Sequence, residues 1–136
     1  MRSMPEENVQ ILRRVYEASQ IDGEEGVEAV LSCCADEIVW VSDPRVPGGG
    51  TYEGREAVRD YLNGLSVFES VTVEIEEITD LGDRALGVTT FHGRPSQGPE
   101  VEWVWCHLVR VRDGLITEAR SFMDADSARR AAGLLG

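Results

Sequence analysis

The hydrophobic period of this chain turns from mainly helical to mainly alternating near its middle, and that change fixes the class of fold it can adopt. Up to about residue 65 the apolar residues recur every three to four positions, and from residue 71 they alternate. Ile11, Leu12, Val15, Tyr16 and Ala18 form one wide apolar stripe. It opens at Ser3-Met4-Pro5-Glu6, a capping box with proline in the first turn, and runs to about Ser19. Asp22-Gly23 breaks it. Val27, Val30, Leu31 and Cys34 then repeat at i, i+3, i+4 and i+7, which predicts a second helix. Ile38 to Ser42 reads as a short strand, and Asp43-Pro44 with Pro47-Gly48-Gly49-Gly50 as an irregular loop. Val58, Tyr61, Leu62 and Leu65 predict a third helix over residues 56–65.

The second half alternates. Val71, Val73 and Ile75 interleave with Thr72, Glu74 and Glu76, and the slip at Glu76-Glu77-Ile78 predicts a bulge. Gly82-Asp83 turns the chain into a strand over residues 84–92. A turn-rich loop follows over 93–99, then a long strand over 101–112. Asp113-Gly114 is a type I′ hairpin signal, leading into a last strand over 115–123 and a short helix over 126–132. No repeat, low-complexity run or linker interrupts the 136 residues, which read as a single domain over 1–136. Helices first and an antiparallel meander afterwards make an α+β fold. The expectation is a cone-like roll: a strongly bent antiparallel sheet with three N-terminal helices on its concave face.

A two-residue hairpin also sets register. It pairs Arg112 with Leu115 and, counting outward, Val109 with Glu118, His107 with Arg120 and Trp105 with Phe122. Alternation then gathers Trp103, Trp105, His107, Val109 and Val111 on one face with Ile116, Glu118, Arg120, Phe122 and Asp124. Val104, Leu108, Ala119, Ser121 and Met123 fall on the other. The aromatic and charged face is expected to line a cavity, since small-molecule sites are apolar and aromatic walls with a few convergent polar groups. Plain readings stand beside this one. Trp40, Trp103 and Trp105 fit a core as well as a lining, and Glu118 with Arg120 fits a salt bridge bracing the sheet. His107 fits a hydrogen-bonded core position, and Asp43 a turn residue.

The formal net charge of -12 repels phosphate backbones and argues against nucleic acid as partner. No apolar run reaches membrane-spanning length, and the first residues lack the apolar stretch of a signal peptide. Cys33, Cys34 and Cys106 show no metal-type spacing and read as buried free thiols, for which a reducing cytoplasm is the expected setting. His92 and His107 lie on different strands, so no metal and no cofactor is expected.

The order of elements resembles the nuclear transport factor 2-like superfamily, in particular its SnoaL-like branch. The residues that carry the resemblance are Tyr16-Glu17-Ala18, Trp40 between Val39 and Val41 with Asp43-Pro44, and residues 52–58 from Tyr52 to Val58. Further along they are Phe91-His92-Gly93-Arg94, residues 111–116 around Asp113-Gly114, Phe122-Met123-Asp124 and Ala131-Ala132-Gly133-Leu134. The resemblance implies a pocket between helices and concave sheet. Its members include ketosteroid isomerase, polyketide cyclases, scytalone dehydratase, limonene epoxide hydrolase and proteins without chemistry. The base of the isomerases aligns with Ser42 or Asp43, their tyrosine with Val15 beside Tyr16, and their strand acid with His107. The cyclase histidine aligns with His107, and its partner strand offers Glu118 and Asp124. Glu118-Ala119-Arg120 echoes the carboxylate and cation of the epoxide hydrolases at another position.

The expected function is therefore that of a small-molecule pocket protein. It is either a metal-free acid/base enzyme on a small hydrophobic oxygenated substrate (isomerase, cyclase, dehydratase or epoxide-hydrolase type) or a non-catalytic binding or interaction domain. The expected catalytic residues are His107, Asp43, Glu118 and Arg120. The expected ligand contacts are Tyr16, Trp40, Trp103, Trp105 and Phe122. A homodimer through the open sheet face is expected as well.

Overall fold

In the computed structural model, which describes residues 5–45, 49–64 and 68–134, four helices pack on one six-stranded sheet. Three sequence expectations fall wholly or partly outside the described residues: Ser3-Met4 of the capping box, Pro47-Gly48 of the loop, and Leu65 of the third helix.

The elements run α1 (Pro5–Ala18), α2 (Gly23–Leu31), β1 (Cys34–Val41), β2 (Thr51–Glu53), α3 (Arg55–Gly64), β3 (Phe68–Asp80), β4 (Arg84–Pro95), β5 (Val101–Arg112), β6 (Leu115–Phe122) and α4 (Ala125–Ala131). The strand order is β2-β1-β6-β5-β4-β3. The sheet is mixed rather than purely antiparallel, because β1 runs parallel to β6. Two strands differ from expectation. Cys34 opens β1 instead of continuing α2, because Cys33 offers its carbonyl to the Ile116 amide and starts the ladder there. The three-residue β2 was hidden in the stretch before α3, too short to show a period.

The apolar stripes named above do the packing. Ile11, Leu12, Val15, Tyr16 and Ala18 of α1, Val30 and Leu31 of α2, and Val58 and Tyr61 of α3 are buried in one core with Ile38, Trp40, Trp105, Val109, Val111 and Ile116 of the sheet. A smaller core lies on the opposite face, where Ala128 and Ala132 of the α4 region cover Leu86, Val88, Cys106 and Leu108. The face expected to be open is thus partly closed by the chain itself.

Two of the register shifts in the sheet bear on the sequence expectations. On β3, Ile75 pairs with Thr89 and Glu77 with Val88, so Glu76 is the extra residue and the expected slip is real. On β6, Val111 pairs with Ile116 but Arg110 with Glu118, so Thr117 is extra. The turn itself is as expected, with Asp113 at φ 54° and Gly114 at φ 77°, the left-handed pair that a type I′ turn requires.

Candidate functional site

The Thr117 bulge rewrites the predicted site. Beyond it His107 faces Ser121, Val109 faces Ala119 and Leu108 faces Arg120. Ala119 and Ser121, expected on the outer face, are buried on the inner one, whereas Glu118 and Arg120 are exposed outside. The physical reason is desolvation: an unbroken register would carry a carboxylate and a guanidinium into an apolar interior, where each charge costs several kcal/mol. One extra residue exchanges them for a methyl and a hydroxyl. Phe122 moves outward with them, packs against the α4 core, and carries the Arg120 guanidinium 5.2 Å above its ring. Glu118, Arg120 and Phe122 therefore do not meet His107.

His107 is 1% exposed. Its Nδ1 lies 3.0 Å from the hydroxyl of Tyr16, delivered from α1. The Trp105 ring meets it edge-on at 4.5 Å and the Trp40 ring at 6.0 Å. Burial pushes the imidazole down to about 3 and the Tyr16 phenol well above its ordinary value, so both are neutral at neutral pH. His107 Nε2 has no hydrogen-bond partner among the described residues, and neither do the indole nitrogens of Trp40, Trp103 and Trp105. Unpartnered buried donors are uncommon in native proteins.

Gly87 makes this pair possible. It stands across from His107 on β4, and a Cβ there would fall 2.3 Å from the Tyr16 hydroxyl oxygen and 2.9 Å from Leu12. Only a bare α-carbon leaves the notch into which the phenol fits.

Asp43 is buried but belongs to a latch. Arg45 donates to both of its oxygens, at 3.0 and 2.7 Å, and also reaches Asp124 at 3.0 Å. The Met123 amide donates to Asp43 at 3.0 Å. These donors, the Arg45 guanidinium foremost, lower its carboxyl to about 2. The inward position at the end of β1 belongs to Ser42, whose hydroxyl lies 2.7 Å from Tyr61 and 3.4 Å from Ser121. Asp43 is thus tied to the β6–α4 junction and not to His107.

An open cavity of about 360 Å3 lies nearer the edge, between the end of α1, the start of α2, α3 and strands β3 to β5. Ile21, Val27, Val30, Leu62, Phe68, Val71, Phe91, Trp103 and Trp105 give it an apolar wall, and Ser19 and Asp22 its polar side chains. Trp103 stacks on Phe91 at 4.4 Å, and Trp105 meets Phe91 edge-on at 5.4 Å. Of the expected ligand contacts, Trp103 and Trp105 line this space. Tyr16 and Trp40 do not; they pack on His107, which itself meets the Trp105 ring. Phe91 was missed because the loop over 93–99 carries no turn of defined length and hides the β4–β5 register, and Phe68 because the alternation that marks β3 begins only at Val71. Among the described residues no three His, Cys, Asp or Glu side chains converge as a metal would require.

Comparison with known proteins agrees with this architecture. The structure is similar to an NTF2-like protein of unknown function from Burkholderia pseudomallei, at 20% identity, covering 91% of this chain and 95% of that one, with a TM-score of 0.75. It is similar to an NTF2-like protein from Burkholderia xenovorans at 27% identity, with 93% and 96% covered and a TM-score of 0.68. An LEH-like epoxide hydrolase of M. tuberculosis shares the fold at 20% identity, with 93% and 90% covered and a TM-score of 0.69. Among curated proteins none matches. The model of the SnoaL-like domain family matches residues 12–119, most of the chain, from within α1 to within β6, and the chain belongs to that family.

Proposed function

We propose that this protein takes up a compact, largely apolar molecule bearing a hydrogen-bond acceptor such as a carbonyl or epoxide oxygen. The observation that carries the reading is the cavity of about 360 Å3, walled by Phe68, Phe91, Trp103 and Trp105. Such a volume and lining suit a small organic ligand. The nitrogens of Trp103, Trp105 and His107 are buried without hydrogen-bond partners, and a ring rotation that brings one of them to the cavity would give an acceptor oxygen its partner. Titration with small ketones and epoxides, followed by tryptophan fluorescence, tests it. Saturable binding is expected, and filling the cavity with Val30→Trp should abolish it. Binding unchanged in that variant would place the ligand elsewhere.

A second reading is catalytic, and the buried Tyr16–His107 couple favours it. A neutral imidazole held by one nitrogen offers the other as a donor that polarises a carbonyl or epoxide oxygen, without needing to be a strong base. Trp105 separates the couple from the cavity, so this reading requires its ring to turn aside when substrate enters. Turnover on such a panel should fall at least about a hundredfold in His107→Ala, the scale of a lost general acid or base. Unchanged turnover would remove His107 from the chemistry.

The homodimer belongs to the same proposal, on a smaller surface than the sequence suggested. The α4 region covers Cys106 and Leu108 and leaves Val104, 38% exposed, as the apolar contact on β5. A stable monomer in light scattering at high micromolar concentration would exclude it.

A further inference from the structure

Among the described residues the cavity wall holds one charged side chain, Asp22, and no cation. Asp22 is the N-cap of α2, with φ -73° and ψ 146°, the extended geometry from which an aspartate ordinarily accepts an amide of the first turn. It makes no such bond. Asp124, in the equivalent place before α4, does: it accepts the Ser127 amide at 2.7 Å. The Asp22 carboxylate thus lies at the cavity rim without its usual local partner. The same cavity carries four aromatic rings, Phe68, Phe91, Trp103 and Trp105. Aromatic faces attract cations and repel anions. The net charge of -12 adds a long-range field of the same sign.

We propose that the ligand of this cavity is a lipophilic cation: a protonated amine or quaternary ammonium on an apolar body, with its charge between Asp22 and the aromatic wall. This rests on the reading of the cavity as a ligand pocket and adds the charge of what enters it. An acceptor oxygen and an ammonium nitrogen coexist readily in one such molecule. Carboxylates and phosphates meet no cationic side chain in the wall, and Asp22 stands between them and the start of α2.

Three compounds with one body and different charge separate this inference from the reading beneath it. 1-Adamantylmethylammonium, 1-adamantanemethanol and 1-adamantanecarboxylate are titrated by calorimetry into the full chain at low salt. The ammonium should bind at least about fivefold more tightly than the alcohol, the order expected of a carboxylate and aromatic faces acting together. The carboxylate should bind most weakly. The preference should shrink at high salt, since Asp22 is exposed. Asp22→Asn should erase most of it with the melting temperature nearly unchanged, because Asp22 makes no capping bond that the change could remove and asparagine suits the same backbone position. An alcohol that binds as tightly as the ammonium would overturn the proposal while leaving the pocket in place, as would a preference that survives Asp22→Asn. If none of the three binds, the pocket reading falls together with it.

Discussion

The hydroxyl of Tyr16 stands 3.0 Å from Nδ1 of His107, and it joins the first helix to the long strand inside an otherwise apolar core. The contact supplies His107 with its one polar partner among the described residues, since Nε2 has none. Tyr16→Phe would leave both imidazole nitrogens unpaired in a site closed to water. A buried group stripped of its partner costs about 1–3 kcal/mol. Denaturant unfolding of Tyr16→Phe should show a loss in that range with an unchanged slope. A variant as stable as the wild type would mean that water replaces the phenol.

The same burial makes stability depend on acid. His107 is lowered from 6.5 to about 3 in the folded protein, with desolvation as the cause. The unfolded chain therefore takes up a proton near pH 6.5 that the folded chain refuses. The contribution is fully present above about 6.5 and is lost as pH falls toward 3, with a limiting slope of about 1.4 kcal/mol per pH unit. Asp43, lowered to about 2 by Arg45 and the Met123 amide, adds a second loss only below its ordinary 3.8. Urea unfolding between pH 7 and 4.5 should thus show stability falling before Asp43 titrates. His107→Gln should flatten that limb.

Gly87 permits the Tyr16 contact by what it lacks. A methyl group there would meet the phenol oxygen at 2.3 Å and Leu12 at 2.9 Å, inside van der Waals range. Gly87→Ala should destabilise the fold by about 1–3 kcal/mol, the usual cost of overpacking. Part of that loss should be absent when Tyr16 is already phenylalanine, because the shortest clash goes with the hydroxyl. A double-mutant cycle on thermal unfolding reads this coupling directly. Simple additivity would mean that the chain relaxes elsewhere than at Tyr16.

How much of this was legible in the sequence varies with the range of the interaction. The stripe on α1, the bulge at Glu76 and the Asp113-Gly114 turn are local signals, and each appears where its residues pointed. The parallel pairing of β1 with β6 is not local, and nothing in Ile38 to Ser42 announces a partner eighty residues away. The notch at Gly87 is likewise invisible until α1 lies against β4. The β6 register was the costliest miss, and it was readable. Carried through without a bulge, alternation buries Glu118 and Arg120 together while exposing Ala119, and the cost of two buried charges outweighs a tidy hairpin. The aromatic residues of β5 survived the error because they lie on the strand that did not slip.

That correction has a direct consequence for mutagenesis. Were Glu118 and Arg120 inside the site, as the unbroken register required, removing either charge would leave the other buried and alone, a change costing several kcal/mol. Both are exposed instead, on the face opposite His107. Glu118 pairs across the ladder with Arg110, which already meets Asp83 at 2.6 Å, and Arg120 rests over Phe122. Surface changes of this kind usually stay within about 0.5 kcal/mol. Losing a cation from an exposed aromatic face costs about 0.5–1 kcal/mol. Glu118→Gln should therefore be nearly neutral, and Arg120→Gln should lose no more than about 1 kcal/mol. Neither should change the affinity of a cavity ligand or the acid limb assigned to His107. Calorimetric titration and unfolding at two pH values check this together. A large loss of binding in either variant, with the fold intact, would return these residues to the site and refute the bulge at Thr117.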